Sequence, residues 1–368
     1  MRDKEKVLLV SCGGLGNGGV QAIMMGLVRS LSDRLTFDII VFTSEIRHYD
    51  EEFLSYGGEI IRIPHYEGTN KYIRALDNYT RDTYIYQKVK RSLKNRGPYL
   101  AIHCNKEYES APILKAAYDS GIKVRICHNH VVNKKSHIIY NLLNRIRLHY
   151  INKYATLKIG CSEESCRSIY DDGEYIVFNN FYDDNRFSLK NYSSTNKSST
   201  LTIVQVGALS SNKNQIFSIK VLSELIKCGI EAKLNIIGFE LEKTYRDKIL
   251  KEIEVLELSS YVSLLPGDSD IPRILSESDI FLMPSIKEGF GIALIEAQAM
   301  GLRCYASSSI PSTTNCGGTT YLDLHKGAQF WATLIIGSMQ KTDGTNYNTD
   351  KFKLSNISSE YYRIYTNK

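Results

Sequence analysis

Two glycine loops and two carboxylates are the features of this 368-residue chain whose types and spacing could do chemistry. Met283-Pro284-Ser285-Ile286-Lys287-Glu288-Gly289-Phe290-Gly291 ends an apolar run in a glycine loop, and Ile292 to Met300 (IALIEAQAM) follows as a predicted helix. The only polar side chains of that helix are Glu296 and Gln298. A carboxylate on so apolar a helix costs free energy unless something hydrogen-bonds it, and a ligand hydroxyl, a core Arg or a backbone group could do so. Glu288 precedes Glu296 by about two helical turns, so the two can face one cleft at different depths. Near the start of the chain, Gly14-x-Gly16-x-x-Gly19 satisfies the form of a dinucleotide fingerprint, with Glu45 at the end of the next predicted strand, where an acid would meet a ribose. A glycine turn before a helix N-terminus aims backbone N–H groups and a positive dipole end at an anion of any kind. The loop therefore predicts a phosphate or carboxylate nearby, NAD being one case, against a tight turn that binds nothing.

The elements that must hold these loops are legible from periodicity. Lys6 to Cys12 is a short apolar strand leading into the first loop, and Val20, Ile23, Met24, Leu27, Val28 and Leu31 recur at the three- and four-residue spacing of one helix face. Phe37 to Phe42 and Glu59 to Ile63 read as further strands, so the chain opens as a doubly wound parallel sheet. A polar, aperiodic segment over 185–200 suits a linker. Leu201 to Val206, Ala232 to Ile237, Tyr261 to Leu265 and Ile280 to Met283 then read as the strands of a second sheet, with helical spacing between them. The expected division is an N-terminal Rossmann-like domain over 1–184, the linker, a second Rossmann-like domain over 201–350, and a terminal segment over 351–368.

Bulk composition is ordinary for a soluble globular protein: 43% hydrophobic and 23% charged residues, with no apolar run near the ~18 residues needed to span a bilayer. The eight cysteines are dispersed, without C-x-x-C or a zinc-ligand spacing, so neither a disulfide framework nor a structural metal is expected and a reducing cytoplasm fits. The net charge of +6 lies in the first half, where residues 1–190 hold 28 Lys+Arg against 22 Asp+Glu. Between Asp119 and Glu163 nothing is acidic, while Lys134, Lys135, Arg145, Arg147 and Lys153 flank Ile138, Ile139, Leu142, Leu143, Ile146 and Ile151. Such a segment suits a helix lying on an anionic bilayer, the other reading being that its apolar face packs into the first domain.

Glu288-x7-Glu296 within S-x-x-E-G-F-G-x-x-x-x-E-A resembles the signature of the retaining family-4 glycosyltransferases of the GT-B fold, a family of capsule, exopolysaccharide and O-antigen assembly enzymes. The resemblance runs over nearly the whole chain. Gly18-Gly19-Val20-Gln21 is similar to the family's first loop, Arg125 to His130 to the strand end with its active-site histidine, and Gly160-Cys161-Ser162 to its following strand. Asn180-Phe181-Tyr182-Asp183 stands at the interdomain motif, Val206-Gly207-Ala208-Leu209 with Lys213-Asn214 at the donor loop, and Glu360 to Tyr365 resembles the helix that crosses back to the first domain.

The resemblance implies an α/β architecture of two facing Rossmann-like domains, and it implies roles. Lys213 would hold the donor diphosphate, assisted by Gly19, Gly207 and the amides of Gly289, Phe290 and Gly291; Glu296 would bind the ribose and Glu288 the donor sugar. His128 would sit beside the transferred sugar, with His130 the runner-up. A UDP-sugar would enter as co-substrate, with no other cofactor and no metal, and a hexose or N-acetylhexosamine would pass to a lipid-linked saccharide at the inner face of the plasma membrane. No nucleic-acid partner is expected. Three positions depart from the family pattern: Ala208 replaces the diphosphate-binding Arg, Phe181 replaces a Gly, and Arg303 replaces a Pro. The loss at Ala208 removes a bidentate phosphate clamp. Weak donor binding, a substitute cation such as Arg303, or a non-catalytic nucleotide-sugar-binding scaffold would each follow from it, and a dehydrogenase is a more distant reading.

Overall fold

The computed structural model describes residues 4–11, 13–64, 74–132, 138–170, 173–192, 200–339 and 347–367, by backbone alone at 74–79 and 138–141. The chain divides into two compact units, Met1–Asn180 with Leu354–Lys368, and Phe181–Lys353. In the first, β1 (Glu5–Val10), α1 (Gly19–Leu31), β2 (Leu35–Val41), α2 (Asp50–Ser55), β3 (Ile60–Arg62), α3 (Arg74–Arg96) and β4 (Ala101–Cys104) are followed by α4 (Ser110–Asp119) and β5 (Val124–Asn129). Then come α5 (Ile138–Tyr154), β6 (Leu157–Gly160), α6 (Glu163–Tyr170) and β7 (Ile176–Val177). The strands pair in parallel in the order β3-β2-β1-β4-β5-β6-β7. Central strands of such a sheet are covered on both faces, which is why Val7 to Val10 is an unbroken apolar run at 0% exposure. Asp38 is the fully buried polar residue of β2, and it is satisfied: Tyr99 Oη donates to it at 2.8 Å and the Glu59 amide at 2.8 Å.

The second unit repeats the plan with β8 (Leu201–Val206), α7 (Gln215–Lys227), β9 (Ala232–Ile237), α8 (Lys243–Val255), β10 (Val262–Leu265) and α9 (Ile271–Ser276). It continues through β11 (Ile280–Met283), α10 (Ile292–Ala299), β12 (Arg303–Ser307), β13 (Thr319–Leu322) and α11 (Gly327–Met339). Its parallel order is β10-β9-β8-β11-β12-β13. Trp331 of α11 is fully buried there, edge-on to Phe217 at 5.0 Å, with its indole N–H donated to the Asp323 carbonyl at 3.2 Å. In both sheets the strand order reverses beside the first strand, between β1 and β4 and between β8 and β11. Loops leaving the carboxyl ends at such a point have no crossover covering them, so this is where open parallel sheets bind ligands. The last helix, α12 (Leu354–Thr366), belongs to the first unit, where Tyr365 meets Phe37 edge-on at 6.1 Å.

Three expectations need correction. The segment 185–200 is not a free linker over its described residues: the chain passes between units at Asn180–Phe181, and Phe187 is buried in the second unit. There Tyr182 Oη meets Thr349 Oγ1 at 2.8 Å, while 193–199 lie outside the described residues. Phe181, in place of Gly, is likewise buried. Arg303 starts β12, level with Ile280 at the amino end of β11, and donates to the Ser338 carbonyl. It stands at the edge of the sheet opposite the ligand loops and is not a substitute cation. The apolar residues of α5 do not share one face. Ile151 is in the core, and Arg147, read as a solvent-facing cation, is 2% exposed and pairs bidentately with Asp82 at 2.7 and 2.8 Å. Leu142, Ile146 and Tyr150, four residues apart, face outward. Lys134 and Lys135 and the side chains of Ile138 and Ile139 lie outside the described residues.

Candidate functional site

In the second unit two loops meet at the switch point. The β8–α7 loop carries Gly207, Ala208 and Lys213, and the β11–α10 loop carries Glu288 to Gly291. Backbone and amide bonds lace them together. The Ile286 amide donates to the Asn212 carbonyl at 2.8 Å, Asn212 Nδ2 to the Lys287 carbonyl at 2.8 Å, and Asn214 Nδ2 to the Pro284 carbonyl at 3.2 Å. Asn214 takes a left-handed conformation (φ 55°) as it opens α7, a geometry Asn tolerates better than most residues. The result is an ion pair between residues 75 apart in sequence, Lys213 Nζ to Glu288 Oε1 at 2.6 Å. The stem of Lys213 lies along Gly207, where a Cβ would come within 3.2 Å of its Cδ. A Cβ at Gly238 would meet the Gly207 carbonyl at 2.1 Å, so the neighbouring strand end must be glycine for the two backbones to approach.

Gly291 caps α10 at φ 100°, a conformation that an L side chain strains to adopt. The helix start carries no acidic side chain and no side-chain cap, leaving amides there for an anion. Phe290 is buried edge-on to Phe352 at 5.6 Å, so what it can offer a ligand is its backbone amide. Glu296 is part-buried on α10 and makes no hydrogen bond or ion pair with a described residue. Burial pushes its carboxyl up to about 7, against the pull of Arg186 and with a smaller push from Asp183. Gln298, the other polar residue of α10, is satisfied by the Thr314 and Leu294 carbonyls and by the Cys316 amide. The asymmetry singles out Glu296 as the carboxylate that lacks its partner.

In the first unit the carboxyl ends of β4 and β5 bring together three histidines. His103 Nδ1 is 2.8 Å from Tyr365 Oη, and His103 Nε2 is 3.1 Å from His128 Nδ1. His128 Nε2 is buried and unpartnered. The rings of His128 and His130 approach to 3.9 Å between centroids. His130 Nε2 reaches Asn105 Oδ1 at 2.8 Å, and Asn180 Oδ1 lies 3.2 Å from its Nδ1. Burial holds all three below the usual imidazole range, helped at His103 and His128 by repulsion from the neighbouring rings and opposed at His130 by the Asn180 hydrogen bond: His103 at about 3, His130 at about 4 and His128 well below the usual range. Among the described residues no three His, Cys, Asp or Glu are grouped so as to hold a metal ion. Gly19 opens α1 after β1, with Gln21 reaching back to the Gly14 carbonyl at 3.3 Å. Glu45 is exposed and pairs with Arg47.

Of the residues singled out in sequence, Gly207, Lys213 and Glu288 come together with the start of α10, and His128 comes together with His130. The first-unit group was incompletely read. His103, Asn105 and Tyr365 belong to it, and the available signal was a further histidine at the end of an apolar run, Ala101-Ile102-His103-Cys104-Asn105. Nothing in the spacing of Tyr365 points to a partner 262 residues away.

Residues 190–314 match the family described as Glycosyl transferases group 1. Over 354 residues the chain is 26% identical to the "Putative glycosyltransferase EpsF" of Bacillus subtilis (strain 168), covering 91% of this chain and 88% of that one. A stretch of 53 residues, 14% of either chain, is 43% identical to the "UDP-Gal:alpha-D-GlcNAc-diphosphoundecaprenol alpha-1,3-galactosyltransferase" of Escherichia coli. Among solved structures, Anabaena Alr3699/HepE in complex with UDP-glucose superposes with a TM-score of 0.77 over 99% of this chain and 100% of that one. At 17% identity that likeness speaks for the fold.

Proposed function

This chain carries a group 1 glycosyl transferase domain on a GT-B fold, and from that premise we propose that it transfers a hexose or N-acetylhexosamine from a UDP-sugar to a lipid-linked saccharide, with retention and without a metal. The observation that carries the proposal is the pairing of Lys213 with Glu288 on two laced loops, ahead of a helix whose Glu296 lacks a partner. In this reading UDP takes over both groups. The β-phosphate replaces Glu288 as the partner of Lys213, the amides at the start of α10 share the charge that develops as the diphosphate leaves, and the ribose hydroxyls donate to Glu296. Glu288, released, accepts from hydroxyls of the donor sugar. His128 serves the transferred sugar through its unpartnered Nε2. The lipid-linked acceptor is supported by the name of the Escherichia coli relative, which specifies a diphosphoundecaprenol sugar.

A panel of UDP-sugars, incubated with the enzyme and detected as transfer or hydrolysis by mass, tests the proposal. Turnover that survives a chelator supports it, and a strict Mg²⁺ or Mn²⁺ requirement refutes the metal-free route. Ala208 favours a second reading, a nucleotide-sugar-binding scaffold, which predicts UDP binding with every donor silent. Residence at the cytoplasmic face of an anionic membrane is part of the same proposal, supported by the outward Leu142, Ile146 and Tyr150 of α5 beside exposed Arg145 and Lys153. Sedimentation with anionic vesicles, lost on added salt and on Arg145→Glu with Lys153→Glu, is the expected result; no binding at low salt overturns it.

A further inference from the structure

The histidine group has more order than the proposed reaction requires, and that order constrains where its protons lie. Tyr365 Oη is fully buried, and its one hydrogen-bond partner among the described residues is His103 Nδ1. A neutral imidazole carries one N–H, and the depressed affinity of all three rings for a second proton keeps them neutral near pH 7. Two arrangements are then possible. If His103 Nδ1 carried the proton and donated to Tyr365, the phenol hydrogen would be buried with no acceptor, His103 Nε2 would accept from His128 Nδ1–H, and His128 Nε2 would be a bare lone pair. If Tyr365 O–H donates to His103 Nδ1, then His103 Nε2–H donates to His128 Nδ1, and His128 must carry its proton on Nε2. The second arrangement leaves one buried group without a partner, the N–H at His128 Nε2, which is the group a ligand would meet. The first leaves two, the phenol hydrogen of Tyr365 and the lone pair of His128 Nε2; each arrangement strands one buried donor, and the additional unsatisfied acceptor of the first decides for the second.

We infer that Tyr365, on the returning helix α12, acts through His103 to fix the tautomer of His128, so that His128 meets its ligand as an Nε2–H donor and not as a base. Tyr365 and His103 are positioning residues in this scheme. His130 holds the far side by the same logic. Asn105 is oriented by its Nδ2 donating to the Val10 carbonyl at 3.3 Å, so its Oδ1 must accept from His130 Nε2–H. His130 Nδ1 is thereby a lone pair; the Asn180 Oδ1 stands 3.2 Å from it, and a half-turn of that amide offers its NH₂ there as donor. Packed at 3.9 Å, the two rings also make a positive charge on either unfavourable, which preserves the donor form of His128. The inference rests on the proposed transfer only for what accepts from His128, an oxygen of the transferred sugar; the proton positions stand on the structure alone.

The test reads the tautomer directly. The full chain labelled with ¹⁵N-histidine is examined by long-range ¹H–¹⁵N correlation near pH 7, with His128 assigned by comparison with His128→Gln. The expected wild-type pattern is a protonated Nε2 and a bare Nδ1 at His128. Tyr365→Phe, which keeps the ring and removes the hydroxyl, is expected to release His103 and mix both tautomers at His128. It should lower kcat at least about tenfold with UDP affinity unchanged, since a donor that acts on the sugar is lost and the nucleotide contacts are not. A wild-type His128 protonated at Nδ1 overturns the inference whether or not the variant folds, as does a Tyr365→Phe spectrum and kcat identical to wild type. Absence of any transfer by the wild type would instead sink the proposed function and leave the tautomer result standing.

Discussion

Glu296 sets stability against ligand binding, and replacing it by Gln separates the two. Its carboxyl is held at about 7 against an ordinary 4.5, chiefly by burial. That difference corresponds to roughly 1 to 3 kcal/mol against ionisation once its partial solvent access is allowed for. The sign follows from linkage. With the folded value raised above the unfolded one, the contribution of Glu296 to stability is whole below pH 4.5 and is lost as the pH rises to about 7. Gln has the shape of the protonated acid and never ionises. Glu296→Gln is therefore expected to match wild type at pH 4 and to be more stable at pH 8 by about 1 to 3 kcal/mol, several degrees in Tm for a unit of this size. Nucleotide binding should move the other way: ribose hydroxyls donating to the carboxylate favour its charged form, so the wild type releases up to about half a proton on binding uridine at pH 7. Calorimetry in two buffers of different ionisation heat measures that release, and uridine keeps phosphate titration out of it. The variant should bind uridine more weakly and release none. An equal stability change at both pH values, or the same proton release in the variant, would refute the argument that Glu296 is buried without a partner until a ligand supplies one.

The remaining predictions concern the other groups. Lys213→Ala should weaken UDP about 10- to 100-fold, the loss of a charged hydrogen bond, while leaving uridine affinity unchanged; equal loss for both would place Lys213 away from the phosphates. Glu288→Gln should lower kcat much more than UDP affinity, as separate rate and binding measurements will show. His128→Ala should abolish most turnover and also lower Tm, because it strands the buried His103 Nε2 and leaves a cavity, whereas His130→Ala should lower Tm by taking the ring partner from Asn105 Oδ1 and from Asn180. Asp82→Ala should cost about 3 kcal/mol in denaturant melts by stranding the buried Arg147 charge, and adding Arg147→Met should restore much of it.

How far the sequence reached depended on the range of the interaction. Strand and helix positions around both glycine loops follow from local periodicity, so β8, β9 and β11 occupy the spans read from apolar pattern alone. Glu296 stood out because a lone acid on an apolar helix is a local anomaly, and the structure leaves it without a partner as that anomaly suggests. The faces of α5 were misjudged for a related reason. Apolar spacing shows that a helix has something to bury, but Arg147 goes inward because Asp82, on a different helix, is there to meet it. Arg303 could be excluded as a phosphate cation only once its place at the amino end of β12 was known.

Residue types and local periods, which act within a few turns of chain, determined the two parallel α/β sheets, the glycine loops, and Glu288 and Glu296 as groups to watch; Lys213 and His128 were added by the resemblance to a family. Pairings between distant segments were decided by tertiary structure alone. Lys213 meets Glu288 because β8 and β11 are neighbours in the sheet. The proton on His128 is set by Tyr365, 237 residues further along the chain, because the last helix returns to the first unit and buries a hydroxyl whose hydrogen must find an acceptor.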